Sequence, residues 1–171
     1  MRVARAVLLT AGLFLACGYQ IASGTRLLGE DVQQLEIQMF ENRSDELGLE
    51  WMIGEALMEE FLRRGELRTV HPGETTPSQV VLHGVVLQVA VRPSAFSSVA
   101  ISVEDSIEVT VDVNVRRVDN GDVVWQRVGL VAREQFLSSP DPLVHETNKE
   151  MALLRVSTLI AESVHDGLFQ Y

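Results

Sequence analysis

The chain has 171 residues, 46% of them hydrophobic and 22% charged, enough apolar material for one core. Its 14 Lys and Arg stand against 24 Asp and Glu, a net charge of −10. That balance excludes nucleic-acid binding through a general electrostatic footprint. One cysteine excludes an intrachain disulfide framework, so folding must rest on the core.

The N-terminus has the anatomy of an export signal. Arg2 and Arg5 form a positive start, and Ala6 to Ala16 is an apolar run broken only by Thr10 and Gly12. The run is too short for a membrane span, which takes about 20 apolar residues. Small Ala16 stands directly before Cys17, the lone thiol, with Phe14 where an aliphatic residue is usual in a lipobox. Cys17 is therefore expected to be the lipid-attachment site and the first residue of the mature protein; the alternative is a spare thiol behind an ordinary signal. At about 0.8 kcal/mol per buried methylene, two or more acyl chains anchor a protein stably where one does not. Removing residues 1–16 leaves 155 residues and takes Arg2 and Arg5 away, so the mature net charge is about −12.

Residues 17–33 read as a lipidated, Gly- and Ser-bearing tether. Leu35-Glu36-Ile37-Gln38-Met39 alternates with the period of a half-buried strand. Glu41 to Asp45 supplies turn and N-cap chemistry. From Leu49 the period becomes helical, with Leu49, Met52, Ile53, Ala56, Leu57 and Phe61 on one face and Gly65 as the stop. Residues 71–78 are dense in breakers. Gln79 to Val91 is apolar on both faces and predicts a long inner strand, with Gly84 marking a close approach. Residues 92–98 are expected to be a loop.

Asn120-Gly121 between two β-rich runs predicts a two-residue type I′ hairpin. That turn sets Val109, Val111 and Val113 opposite Ala132, Leu130 and Val128, one continuous apolar face. Glu108 then opposes Arg133, Asn114 opposes Arg127, and Arg116 opposes Trp125 as a cation–π pair on the solvated face. Asp141 and Pro142 suit the cap and first position of a closing helix, whose stripe is Leu153, Val156, Ile160, Val164 and Leu168. The predicted order is β-α-β-β-β-α. It implies an α+β two-layer sandwich with two helices on one face of a four-stranded, mainly antiparallel sheet.

Little points to catalysis. His71, His83, His145 and His165 lack metal-ligand spacing, and His83 reads as a core or sheet-face residue. There is neither a Gly-x-Ser-x-Gly elbow nor a Gly-rich phosphate loop. No enzyme activity, metal or dissociable cofactor is expected.

Several segments together carry a resemblance. They are Cys17-Gly18-Tyr19, Ile37-Gln38-Met39-Phe40-Glu41-Asn42-Arg43-Ser44, Leu49-Glu50, Glu59-Glu60-Phe61-Leu62-Arg63-Arg64-Gly65 and Val81-Leu82-His83-Gly84-Val85. In order and spacing they resemble the lipopolysaccharide-assembly lipoprotein family LptE. The resemblance implies residues 34–171 as an LptE-like domain of two helices on a four-stranded sheet. It also implies an outer-membrane location on the periplasmic side. The partners would be an LptD-type β-barrel, which the domain plugs and helps assemble, and lipopolysaccharide on its way to the outer leaflet. Among the basic residues at strand and loop ends, Arg92 and Arg116 are the candidates for lipopolysaccharide contact, against the alternative of ordinary sheet-face arginines. A rival function is a lipid-anchored periplasmic adaptor of another envelope complex.

Overall fold

The computed structural model describes residues 28–29, 31–70, 73, 76, 79–96 and 102–169. The expected signal, Cys17 and most of the 71–78 loop lie outside them. Among the described residues six strands and two helices follow in the order β1 (Gln34–Ile37), β2 (Glu41–Asn42), α1 (Leu49–Arg64), β3 (Arg68–Val70), β4 (Gln79–Phe96), β5 (Ser102–Arg117), β6 (Val123–Leu137) and α2 (Pro142–Phe169).

The two-helix α+β layering is as expected, but the sheet is larger and partly parallel. Its order is β3-β1-β4-β5-β6, with β2 also pairing β4. β1 runs parallel to both β3 and β4, and β2 runs parallel to β4; only the β4-β5-β6 ribbon is antiparallel. The four-strand expectation failed at β2 and β3 because two or three residues cannot establish a period. Their pairing is imposed by the neighbours. Leu28 and Val32, which the sequence assigned to the tether, lie in the core, so the packed domain reaches back to Leu28.

β1 and β2 form one interrupted line along β4. Ile37 pairs with Leu82 and Glu41 with Val85, so an extra residue is absorbed between them. The break lets Phe40 turn its ring inward onto Gly84, where any Cβ would overlap the ring. Gly84 is thus the predicted close approach, and its partner is Phe40.

The helix predictions hold in detail. Leu49, Ile53, Leu57 and Phe61 of α1 are fully buried, and Met52 and Ala56 pack partly against them. Gly65 ends the helix in the left-handed region at φ 75°, donating its N–H to the Phe61 carbonyl. The N-terminus differs: Gly48, at φ 87°, caps it with no side-chain bond. The turn chemistry acts one step back, where Asn42 accepts from the Ser44 N–H at 2.9 Å and donates to Glu50 at 2.7 Å. In α2, Asp141 Oδ1 accepts the Leu143 N–H at 2.9 Å, and Leu153, Val156, Ile160, Val164 and Leu168 are all buried.

Ion pairs fasten the helices at both ends. At one end Glu60, nearly buried, accepts from Arg63 and from Arg64 Nε at 2.8 Å. Burial alone would raise its pKa, but the two guanidiniums outweigh burial and hold it below the usual value. Arg64 also reaches Asp166 of α2 at 3.6 Å. Beside them His165 is enclosed between Phe61 and Phe169, with Nε2 3.1 Å from Glu66. At the other end Lys149 sits between Glu46 and Glu146, at 2.8 and 3.0 Å. Burial opposes its charge, but the carboxylates prevail and its pKa is raised.

The β5–β6 hairpin exists, but its turn is not the predicted one. Arg117 donates its N–H to the Asp122 carbonyl, closing a four-residue loop, and Gly121 takes φ 76°. Asn120 acts through its side chain, accepting the Asp122 N–H at 3.0 Å. Register on the turn side is displaced accordingly: Val113 faces Arg127, Asn114 faces Gln126 and Val115 faces Trp125. Two bulges on β6 absorb the difference, and beyond them the predicted pairs Val111–Leu130, Val109–Ala132 and Glu108–Arg133 all form. At one bulge Gly129 adopts φ 64° and gives its N–H to Asp112 Oδ1 at 2.8 Å. Val128 is consequently 66% exposed instead of joining the apolar face. Trp125 lies on the helix side against Gly167, so the predicted stacking with Arg116 is absent.

Residues 92–96 are strand, not loop. β4 continues through Pro93 to Phe96 opposite Asp105 and Ser102, with register irregularities around Ala95. Among the described residues β4 is an edge strand by that point, which is where a strand tolerates Pro.

Candidate functional site

The helices cover one sheet face, and the other is left without a second layer among the described residues. On that outer face Val81, His83 and Val85 of β4 stand opposite Arg116, Asn114 and Asp112 of β5. His83 is accordingly a half-buried sheet-face residue. An open groove of about 560 Å³ forms where the face meets the hairpin loop, lined by Gln38, His83, Asn114, Arg116 and Arg117 among others. Arg116 is exposed and donates Nε to Asn114 Oδ1 at 3.1 Å, which leaves most of its donors to solvent. Arg117 instead ion-pairs with Asp31 and with Asp119 at 3.2 Å, and those bonds, Asp31 first, push its pKa up further. It holds the chain's entry into the domain. Arg116 is the guanidinium of the two that is open to a ligand.

Behind this groove Glu36 is buried among amides rather than cations. Gln79 donates to one of its oxygens at 2.8 Å and Gln38 to the other at 3.3 Å. The Gln79 carboxamide oxygen in turn accepts the Thr76 N–H at 3.0 Å, tying the start of β4 to β1. These contacts position the wall of the groove and do not open onto it as a reactive pair.

Arg92 lies on the same outer face, exposed, opposite Ser106. Arg116 faces Val81. The eleven residue steps from Val81 to Arg92 amount to about 35 Å of strand. The two candidate arginines share a face but not a site. Cys17 lies outside the described residues. Among the described residues no three His, Cys, Asp or Glu side chains group as metal ligands, and no helix is long and apolar enough to cross a membrane.

A surface that the sequence reading passed over lies on the outward side of α1. Trp51, Glu55, Met58, Glu59 and Leu62 follow at helical spacing, opposite the buried stripe. With Ile37, Met39 and Gly54 they line two adjoining grooves of about 340 and 570 Å³. Met39, Trp51 and Leu62 are each more than half exposed. The signal was present as a second apolar period in α1, hidden by the stronger core period.

Among the described residues the domain is a two-layer α+β body with one sheet face uncovered and shallow grooves on strand and helix. The chain belongs to the LptE lipopolysaccharide-assembly family, whose sequence model matches residues 32–168. That membership places it with the envelope lipoproteins of lipopolysaccharide assembly. No curated protein matches the sequence. Solved structures share the fold at low identity. A Caulobacter crescentus protein described as a lipoprotein is 14% identical, with a TM-score of 0.52 over 77% of this chain and 88% of that one. The protein CT253 of Chlamydia trachomatis is 11% identical, with a TM-score of 0.52 over 82% and 99%. Protein XCC0632 of Xanthomonas campestris is 14% identical, with a TM-score of 0.50 over 76% and 82%.

Proposed function

We propose that this protein is an outer-membrane lipoprotein, acylated at Cys17 and facing the periplasm, that plugs an LptD-type β-barrel. In this role it helps the barrel assemble and helps lipopolysaccharide reach and enter the outer leaflet. The family match across residues 32–168 carries the reading. The architecture supports it: one rigid core, with polar and half-buried side chains on the bare sheet face, suits a body that must fit a polar lumen. The role is one of binding and placement, and none of it requires covalent chemistry by the chain.

Lipopolysaccharide would meet the outer face at two separate points, Arg116 in the groove by the hairpin loop and Arg92 near the far end of β4. A guanidinium recognises phosphate by paired, charge-assisted hydrogen bonds, which a mature chain of net charge about −12 must supply locally. The deciding experiment is a pull-down of the full lipoprotein from its native envelope, with partners identified by mass. Recovery of a large outer-membrane barrel is expected, and recovery of a different complex would replace the plug with the adaptor reading. In the same preparation, Arg92→Glu with Arg116→Glu is expected to weaken lipopolysaccharide binding about tenfold. Unchanged binding would remove both residues from the lipid path.

A further inference from the structure

The outward side of α1 combines two features that ordinary solvent-facing helices keep apart. The first is a continuous apolar furrow. Trp51 and Met58 flank Gly54, Met39 closes the side toward β1, and Leu62 extends the line by a further turn. Gly54 has open space where a Cβ would stand, so the furrow has a shallow floor at its centre. The second is its rim. Glu50, Glu55 and Glu59 border the apolar line, and Glu55 and Glu59 make no ion pair among the described residues. Arg63 reaches the far end of the furrow but pairs with Glu60, as does Arg64, so neither cation neutralises Glu55 or Glu59.

We propose that this furrow docks a basic, amphipathic segment of a partner protein: a stretch with one large apolar side chain to sit over Gly54 and Lys or Arg to meet Glu55 and Glu59. Charge complementarity selects that occupant. An anionic lipid surface would face three carboxylates on a chain of net charge −10, and a second copy of the chain would double the carboxylates in the interface. A basic segment relieves both costs while covering Trp51, which has the size and rigidity of an interface anchor. The inference goes beyond the barrel-plug reading and does not depend on it, since any protein with such a segment satisfies the chemistry.

The test uses the full lipoprotein in its native envelope, with photoreactive benzoylphenylalanine in place of Met58. The expected adduct is a partner segment that is net positive and carries an aromatic or large aliphatic residue, mapped by mass spectrometry. Glu55→Lys with Glu59→Lys is expected to cut the adduct yield about tenfold, whereas Glu55→Asp with Glu59→Asp keeps it. Both carboxylates are exposed, so unchanged circular dichroism checks that the fold is intact. Adducts to lipid, to a second copy, to residues 18–27 of the same chain or to an acidic segment would each overturn the proposal. So would an absence of adduct, or indifference to charge reversal. Co-purification of the barrel, read separately, distinguishes failure of this surface from failure of the plug.

Discussion

From Val80 to Val86 strand β4 has neighbours on both sides, β5 on one and the interrupted line of β1 and β2 on the other. From Gln88 to Phe96 the same strand pairs with β5 alone among the described residues. The far half adds Gln88, Arg92, Pro93 and Ser94, but Leu82 and Val91 both stand on the helix-facing side, where Leu82 is fully buried and Val91 is 43% exposed. α2 packs over β6 and β5, whereas α1 packs over β3, β1 and β2, the strands that flank the first half of β4. The contrast teaches that an apolar strand in sequence fixes neither its neighbours nor its depth. What decides is how far the covering layer extends.

That contrast can be broken by substitution, most strongly in its core. Leu82→Ala should destabilise the protein by about 2–5 kcal/mol by leaving a cavity, whereas Val91→Ala should stay within about 0.5 kcal/mol. Urea unfolding of the mature chain measures both; similar losses would mean that the far half is covered as fully as the near one. Next in size is Gly84→Ala, which drives a methyl into the Phe40 ring and should cost about 1–3 kcal/mol. Adding Phe40→Leu should recover part of that loss, and no recovery would place the strain elsewhere.

The smallest effect separates the two ends of the helix pair by pH. Glu60 has a lowered pKa in the fold, so its contribution is present above its ordinary value of 4.5 and is lost as acid titrates it. Glu60→Gln should cost about 1 kcal/mol at neutral pH, and the gap from the parent should close as the pH falls from 4.5 through the lowered value. Lys149 has a raised pKa, so the charge on its side of the pair is present below 10.5 and is lost as alkali titrates it. Melting curves across pH would show Glu60→Gln converging on the parent in acid and Lys149→Met converging on it in alkali.

The elements most legible in sequence were those whose period repeats several times. The stripes Leu49–Phe61 and Leu153–Leu168 were readable because each spans at least three helical turns. The distal hairpin pairs were readable for a less secure reason. The Asn120-Gly121 turn was misread as a two-residue loop, and the bulges on β6 restored the predicted register beyond Val111. Gly129 could have signalled one of them, as an isolated glycine inside a strand pattern. β2 and β3 carry no period of their own and exist because β4 and β1 offer them hydrogen bonds. Of the functional surfaces, Arg92 and Arg116 could be named from sequence but not placed relative to each other. Their separation depends on pairings tens of residues apart. The α1 furrow was obscured because one helix carries two apolar lines, and periodicity reports the stronger.

The placement of β1 has a consequence for the order of folding. β4, β5 and β6 are joined by local hairpins, but Gln34 pairs with Gln79 and also with Arg68, which closes long loops around both neighbours. Local contacts form faster than distant ones, so the antiparallel ribbon is expected to assemble first and β1 to enter late. Until it does, β4 offers a bare edge along its whole length, an aggregation hazard. Among the described strands the one nearest the N-terminus thus completes the sheet, and a newly made chain stays adhesive until that strand is seated.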